Sequence, residues 1–454
     1  MQATIVSLFS GCGGLDLGFE LTGQFKVVWG NDLYRPSAET FSKNFNLEIS
    51  EKADFRKGTI FVGDVERVDF TKIGAPGEVD VVTGGPPCQD FSIIRGKRKG
   101  IRVKRGRLYV HFVRALVSLQ PKMFVFENVK GLASANKGVA FKQILADFEN
   151  LNLRWRSMWK DHREIIRTVR KTNHLRNYKI IFSSIVDFSK LGVPQQRERL
   201  IIIGLREDLI EKVSEQKIRS ELLAKDFFPL TPIEVLDGKT LNDLEDRYRN
   251  IMEDYREVGK EIYSERSRQY FSNIWKNHRT EVWKDYEFAN SLPAIDQKEK
   301  IIESHAKILL ELGYLGKPVD KLTDNKILNE KETVKLRMNF IPPGENHEFV
   351  KGTPYGVAGL MSNIYRRIHP LKPAPTIIAR GGGGTWGYHY LRNRQRLTNR
   401  ERARLQTFPD SFLFYGSPSE VRRQIGEAVP PLAAKRIAKV ILSILEEINS
   451  DKVI

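Results

Sequence analysis

Cysteine is scarce in this chain: Cys12 and Cys88 are the only two among 454 residues. Two thiols cannot build a disulfide framework, and neither a cysteine pair nor a His-x-x-x-His sits at zinc-ligand spacing. An intracellular protein without a structural metal is expected. No stretch approaches the ~18 consecutive apolar residues that a membrane span needs. Met1 to Phe9 has neither a basic n-region nor a cleavage site and runs directly into glycines, so it does not read as a signal peptide. Internal repeats and low-complexity tracts are missing too. With 41% hydrophobic and 29% charged residues, disorder of the whole chain is excluded. Negative charge also falls short: 56 Asp and Glu face 74 Lys and Arg, a formal charge of +18. That excess points to an anionic partner, nucleic acid or an acidic membrane surface, and charge alone does not choose between them.

What the chain does have is an α/β rhythm. Up to Gly204, short apolar runs bounded by turn signals alternate with helix-compatible stretches, as in βαβ units. Ala3 to Phe9, Phe25 to Trp29, Ile60 to Val62, Val79 to Val82, Met123 to Phe126, Ile180 to Ile185 and Leu200 to Ile203 read as buried parallel strands. Helices such as Leu15 to Leu21 and Tyr109 to Leu119 lie between them. The expected fold is α/β, a doubly wound, mostly parallel sheet with ligands at the carboxyl ends of its strands. After Gly204 the texture changes. Asp237 to Arg279 is dense in charge, with apolar anchors at helical spacing (Tyr270, Phe271, Ile274, Trp275), and Ile301 to Leu312 is again amphipathic. Both read as scaffold helices. From Asn339 the chain is rich in proline and glycine loops, and Gln424 to Ile448 closes it with a long apolar-periodic helix begun at Pro430-Pro431.

Ser10-Gly11-Cys12-Gly13-Gly14 follows the first strand and opens a helix. Glycines there let backbone approach a ligand, with the positive helix N-terminus aimed at it. The dinucleotide fingerprint G-x-G-x-x-G is not met, because Asp16 holds the third glycine position. Asp32 follows the second strand and Asp64 the third. Carboxylates at those places suit a ribose diol and an adenine amino group, so a nucleoside cofactor without a pyrophosphate fits better than a dinucleotide. A tight βα turn with two solvated carboxylates accounts for the same residues.

Gly84-Gly85-Pro86-Pro87-Cys88-Gln89 follows another strand and sets a proline-flanked thiol at the carboxyl end of the sheet. Phe91 to Arg107 then holds eight basic residues, Arg95, Lys97, Arg98, Lys99, Arg102, Lys104, Arg105 and Arg107, and no acid. A positive neighbourhood lowers a thiol pKa and favours the nucleophilic thiolate, and the same loop suits phosphates. A buried apolar cysteine beside a solvated charge run is the bland alternative. Glu127-Asn128-Val129 ends the strand Met123 to Phe126, where a carboxylate serves as an acid or as a hydrogen-bonding partner of a base. In Gln195-x-Arg197-x-Arg199 alternation along an extended segment turns both arginines to one face, toward an oxygen-bearing ligand or simply an exposed strand edge.

These blocks resemble, in matching order, the DNA (cytosine-5) methyltransferases. The resemblance rests on Leu8 to Gly14, Asn31-Asp32, Gly63-Asp64-Val65, Pro86-Pro87-Cys88-Gln89-Asp90-Phe91-Ser92, Glu127-Asn128-Val129 and Val193 to Arg199. It continues in Arg396 to Gln406 and Gln424 to Pro430. It implies a Rossmann-like S-adenosylmethionine-dependent catalytic and cofactor-binding domain, residues 1–204 plus 425–454. A smaller target-recognition domain, residues 205–424, would carry a helical insertion at about 237–335.

The family mechanism then implies roles. Cys88 attacks C6 of cytosine, Glu127 bonds the N3 edge, Arg199 holds the O2 side and Arg197 supports the active-site loop. S-adenosylmethionine supplies the methyl group and leaves as S-adenosylhomocysteine, with no metal. Phe9 would face the adenine, Asp32 the ribose and Asp64 with Val65 the adenine edge. Ser10, Gly11, Gly13, Gly14, Pro87, Glu427, Ala428 and Val429 complete the implied cofactor site. The target base must leave the duplex to be reached, and the loop bearing Ser92, Arg95, Lys97, Arg98, Lys99 and Arg105 would close over the strand. Readout falls to loops around Thr376, Ile377, Gly382 and Gly383. Part of the positive charge, in Arg392 to Arg404, is read either as a further DNA contact or as helix scaffold.

One block departs from the family. Gly-Glu-Ala-Val-Pro at 426–430 stands where Gly-Asn-Ala-Val-Pro is usual. Either cofactor affinity is reduced, or a basic neighbour compensates the charge of Glu427. An RNA cytosine-5 methyltransferase is the nearest rival, but the Cys-Phe-Thr motif of the tRNA-directed members needs a third cysteine. A non-catalytic DNA-binding relative would be expected to lose its nucleophile. The resemblance favours a cytoplasmic, nucleoid-associated prokaryotic modification enzyme that acts on double-stranded DNA as a monomer, away from membranes. A cognate restriction endonuclease would act separately.

Overall fold

The computed structural model describes residues 2–52, 55–87, 108–151, 175–212, 227–259, 298–316, 322–327, 329–357, 364–379 and 387–450, with the single positions 222, 269, 282, 283, 286 and 385. The chain divides into two compact units. One comprises Met1–Leu191, Arg197–Asp226 and Ala428–Ile454, and the other Gly192–Gln196 and Phe227–Glu427.

The first unit is built on strands β1 (Ala3–Leu8), β2 (Phe25–Asp32), β3 (Glu48–Ser50), β4 (Thr59–Val62), β5 (Val81–Gly84), β6 (Met123–Val129), β7 (Tyr178–Asp187) and β8 (Glu198–Arg206). Their order across the sheet is β3-β4-β2-β1-β5-β6-β8-β7. Strands β1 to β4 lie on one side of the sheet and β5 to β8 on the other, so the switch point lies between β1 and β5, where a doubly wound sheet opens a crevice at its carboxyl edge. Helices α1 (Gly14–Glu20), α2 (Arg35–Phe45), α3 (Leu108–Leu119), α4 (Gly131–Ser134) and α5 (Val139–Glu149) occupy the connections. The strands are apolar on both faces because helices cover both: Ile5, Val6, Val81, Val82, Phe124 and Ile202 are all fully buried. Phe112 of α3 packs edge-on against Phe124 and Phe126 at 5.8 and 5.3 Å between ring centroids.

Two strand expectations are corrected. Ile180 to Ile185 belongs to β7 and Leu200 to Ile203 to β8, and neither is parallel: β8 pairs antiparallel with both β6 and β7. The link from β7 to β8 holds only a single 3-10 turn, Phe188–Lys190, and is too short for the crossover that parallel neighbours require. The edge strand β3, three residues long, carried no apolar run by which to be recognised.

The second unit holds α6 (Pro232–Asp237), α7 (Glu245–Gly259), α8 (Lys298–Glu311), α9 (Glu332–Asn339), α10 (Asn399–Leu405) and α11 (Pro418–Glu427). Capping boxes start α6 (Thr231 with Glu234) and α10 (Thr398 with Glu401), each satisfying orphan N–H groups at the first turn. Among the described residues strand pairing here is reduced to isolated bridges, such as Gln195 with Ala374 and Tyr388 with both Arg367 and Arg396. Buried polar groups do the work of a ladder. Arg367, fully buried, donates to the carbonyls of Met338, Ile341 and Leu391 at 2.6, 2.8 and 2.7 Å. The apolar anchors Tyr270, Phe271, Ile274 and Trp275 lie outside the described residues. The final helix, α12 (Pro431–Ser450), begins at the expected proline and belongs to the first unit. Among the described residues no helix is long and apolar enough to cross a membrane.

Candidate active site

Three strand ends that are neighbours in the sheet, those of β4, β2 and β1, bring the glycine turn, Asp32 and Asp64 to one edge. After β1 the chain passes through left-handed backbone at Phe9, Gly11 and Gly13, with φ of 53°, 55° and 90°. Gly13 is also required sterically, since a Cβ there would stand 2.3 Å from the Phe45 ring and 2.8 Å from Phe41. At Gly11 the corresponding direction is open space. The Gly11 N–H donates to Asp32 Oδ2 at 2.8 Å and the Tyr34 N–H to Oδ1 at 2.7 Å, so backbone groups orient the carboxylate. Asn31 extends this bracing, donating from Nδ2 to the carbonyls of Phe61 and Gly63, each at 3.0 Å. Ser10 Oγ accepts from the Asn31 N–H at 3.2 Å. Asp64 is exposed and caps the 3-10 turn Val65–Arg67, accepting from the Glu66 N–H at 3.0 Å.

Two cofactor assignments take a narrower form. Val65 is 4% exposed and its side chain joins the hydrophobic core, leaving only its backbone to serve an adenine edge. Phe9 is half-buried and packs against that same core. Cys12 is buried, and so is Gly14 at the first position of α1. Pro87 is exposed, whereas Ala428 and Val429 are buried.

Asp16, at the position that departs from the dinucleotide fingerprint, turns beneath the glycine turn and accepts from Ser7 Oγ at 2.9 Å and Thr83 Oγ1 at 2.8 Å. Burial disfavours its charge more than these donors favour it, and its pKa rises from 3.8 to about 6. A raised carboxyl pKa means the folded state binds the proton more tightly. The stabilisation is therefore complete below the unfolded pKa and lost as pH rises through the folded one. From about pH 8 to about pH 5 the wild type should gain about 1.4 kcal/mol from this group. Asp16→Asn should not show that gain. Urea unfolding of both proteins at the two pH values measures it, and identical pH dependences would remove the assignment.

At the end of β6 three of the four residues expected to carry chemistry, Glu127, Arg199 and Arg197, come together. Glu127 Oε1 lies 3.1 Å from Arg199 Nε, both side chains being largely buried. The antiparallel register makes this possible by setting Val129 opposite Arg199 and Glu127 opposite Ile201. The backbone of Gly85 lies against the carboxylate, and a Cβ there would stand 2.9 Å from Glu127 Oε2. Next in the chain, Asn128 Nδ2 donates to the Pro86 carbonyl at 2.9 Å, and Asn128 Oδ1 accepts from the Val129 N–H at 3.0 Å. Burial raises the Glu127 pKa above its usual 4.5, and the charges of Arg199 and Arg197 only partly oppose it. Arg197 is 1% exposed, and burial with the like charge of Arg199 lowers its pKa to about 9. Cys88 and the basic positions Arg95, Lys97, Arg98, Lys99 and Arg105, with Ser92, lie outside the described residues, as do Gly382 and Gly383.

In the second unit Thr376 is exposed and donates from Oγ1 to the Gln196 carbonyl at 2.6 Å, whereas Ile377 is 5% exposed. Of that pair only Thr376 presents a side chain. The Ile377 N–H donates to Gln195 Oε1 at 2.8 Å, Gln195 Nε2 donates to Gln406 Oε1 at 3.1 Å, and Gln406 Nε2 reaches the Ile425 carbonyl at 2.7 Å. Sequence reasoning left Gln195, Gln406 and Asn128 without roles. Their only signal was membership of motifs whose charged members drew the attention.

The reading of Arg392 to Arg404 as a DNA contact is corrected. Arg392 pairs with Asp254 at 2.9 Å, Arg394 with Glu401 at 2.6 Å, and Arg396 with Glu330. Arg404 chelates Asp410, and Arg400, fully buried, donates to the carbonyls of Thr323, Pro409 and Phe412. Those guanidinium groups are scaffold. Glu427 is paired as well: Arg423 Nε lies 3.0 and 3.2 Å from its two oxygens, one helical turn away on α11.

Comparison with known proteins identifies the family. The profile of the family described as C-5 cytosine-specific DNA methylase matches residues 3–443. The DNA (cytosine-5-)-methyltransferase M.ApeKI of Aeropyrum pernix is 49% identical over 98% of this chain and 99% of its own length. The type II methyltransferase M.NgoFVII of Neisseria gonorrhoeae is 35% identical over 99% of this chain and 88% of its own. A crystal structure described as an Escherichia coli prophage-encoded DNA modification methyltransferase superposes with a TM-score of 0.56 at 22% identity, covering 98% of this chain and all of that one. This last likeness bears on the fold alone.

Proposed function

The chain belongs to the C-5 cytosine-specific DNA methylase family, and from that membership we propose how its own residues transfer a methyl group to C5 of cytosine in DNA. The observation that carries the proposal is the group at the end of β6. Glu127 is held by Arg199 and pressed against Gly85, while Asn128 fixes the Pro86 carbonyl two residues before Cys88.

Cytosine C5 is a poor nucleophile. The Cys88 thiolate forms a bond to C6, and the electrons of the C5=C6 bond move into the ring toward N3 and O2. A protonated Glu127 accommodates them by giving its proton to N3, which its burial favours. Arg199 stabilises the oxygen side, and buried Arg197 adds positive potential behind the pair. C5 now carries the nucleophilic electron pair. The sulfonium of S-adenosylmethionine supplies an electrophilic methyl group at that carbon. Solvent water takes the C5 proton, the C5–H electrons re-form the C5=C6 bond and expel the Cys88 thiolate from C6, and the N3 proton returns to Glu127.

The donor set fits that cofactor. Asp32, oriented by two backbone N–H groups, suits a ribose diol, exposed Asp64 suits an adenine amino group, and the turn at Gly11 borders open space. Ser10, Gly13, Gly14, Pro87, Ala428 and Val429 complete it in our reading, without a metal. The substrate is double-stranded DNA from which the base is flipped, with the loop from Ser92 to Arg107 on the phosphates. The enzyme acts as a monomer on nucleoid DNA in the cytoplasm, separately from a partner endonuclease. Bisulfite sequencing of DNA from expressing cells should show 5-methylcytosine confined to one short sequence. An absence of methylation would overturn the reading.

The Glu427 departure is compensated by Arg423, so the charge does not fall on the cofactor. Glu427→Asn is expected to change the Kd for S-adenosylhomocysteine by less than about threefold, since a half-exposed i,i+4 pair contributes only a few tenths of a kcal/mol. Calorimetric titration checks this, and a tenfold tightening would mean that Glu427 does oppose the cofactor.

A further inference from the structure

Arg114 is assigned no part in the reaction, yet it is among the most deeply buried charges of the first unit. It lies on α3, 1% exposed, over the face of Phe70 with its Cζ 5.4 Å from the ring centroid. Its guanidinium is spent on backbone. Nη2 donates to the Val68 carbonyl at 2.7 Å, and Nη1 reaches the carbonyls of Val65 and Glu66, each at 3.4 Å. Nη1 also lies 2.8 Å from His111 Nδ1. A guanidinium only donates, so that imidazole nitrogen is the acceptor and is unprotonated.

These carbonyls belong to the 3-10 turn Val65–Arg67 and the residue that ends it. Such a turn leaves N–H groups unsatisfied at its start and carbonyls at its end. Asp64 satisfies the start by accepting from Glu66, and Arg114 satisfies the end. The planar fork is suited to holding several carbonyls at once, which a lysine ammonium does less well.

We propose that Arg114 is a positioning residue for the cofactor: from within the core it fixes the turn whose capping residue, Asp64, presents its carboxylate to the adenine. The proposal rests on the reading of Asp64 as the adenine contact. Without Arg114 the turn loses its anchor, and Asp64 must be ordered at the expense of binding energy, so affinity falls while chemistry at β6 is untouched.

The test uses the full chain and S-adenosylhomocysteine as the calorimetric probe, with KM for S-adenosylmethionine, kcat and KM for DNA measured alongside. Arg114→Met is expected to raise the Kd about tenfold or more, and kcat at saturating S-adenosylmethionine should fall far less. Arg114→Lys should lie between it and the wild type, and KM for DNA should be unchanged. Should Arg114→Met fail to fold, Arg114→Lys and His111→Ala carry the test, each with a smaller rise in Kd. Asp64→Ala separates the two levels of the argument. If Asp64→Ala weakens binding and the folded Arg114 variants do not, Arg114 has no positioning role. If Asp64→Ala leaves the Kd unchanged, the adenine contact is wrong and the proposal falls with it. Equal losses in kcat and cofactor affinity for Arg114→Lys would point to general loosening and also overturn it.

Discussion

Replacing Cys88 by serine is expected to lower kcat by a factor of about 10⁴ or more, on the scale of losing the nucleophile of a covalent enzyme, while leaving DNA affinity near that of the wild type. A thiol with pKa ~8.5 has an appreciable thiolate fraction at neutral pH, and neighbouring cations enlarge it. A serine hydroxyl at the same point has no comparable anion. The described residues just before position 88 are closely held. Gly85 abuts Glu127, Pro86 is tied by Asn128, and the prolines remove backbone freedom before position 88. The sharpest measurement uses a duplex carrying 5-fluorocytosine at the target. Fluorine cannot leave C5 as a proton does, so the adduct cannot eliminate its sulfur. Wild-type protein with S-adenosylmethionine should form a complex that survives denaturation. Cys88→Ser should form none. A denaturation-resistant complex with the serine variant would transfer the nucleophile to another residue.

Glu127→Gln should cost about 10² to 10⁴ in kcat, the usual worth of a positioned general acid, with little change in cofactor affinity. Glutamine keeps the size and one hydrogen bond but has no proton to give to N3. The sign of the pH dependence follows from the raised pKa of Glu127. Its protonated form persists to higher pH than that of an exposed glutamate, and the rate limb it controls falls as pH increases through that value. The limb should be present in the wild-type kcat profile and missing from that of Glu127→Gln. A variant that retained wild-type turnover would leave Arg199 and Arg197 as the activating groups and remove Glu127 from proton transfer.

Much of the site was legible because its parts are local. The turn from Ser10 to Gly14, the acids ending β2 and following β4, and Glu127 at the end of β6 each sit where a strand stops, and strand ends are marked by short apolar runs. The direction of β8 was not legible, since a run such as Leu200 to Ile203 is apolar in either sense and only the shortness of its link to β7 decides. Arg392 to Arg404 misled for a similar reason. Composition shows a cluster of cations, but the acceptors Asp254, Glu330 and the Thr323 carbonyl are far away in sequence. Arg114 gave no signal at all, being a single arginine on a largely apolar helix.

The scarcity of cysteine takes on more weight in this light. The motif blocks, through their resemblance to a known family, pointed to the reaction class, because each block is a short run legible on its own in the chain. They also determined the winding of the sheet, through the spacing of apolar runs. Tertiary structure alone decided which charges remain for a ligand and which are spent on the fold. It also decided that Asp16 and Glu127 hold their protons beyond the ordinary carboxylate range. Burial and long-range hydrogen bonding set both outcomes, and neither is a property of neighbours along the chain.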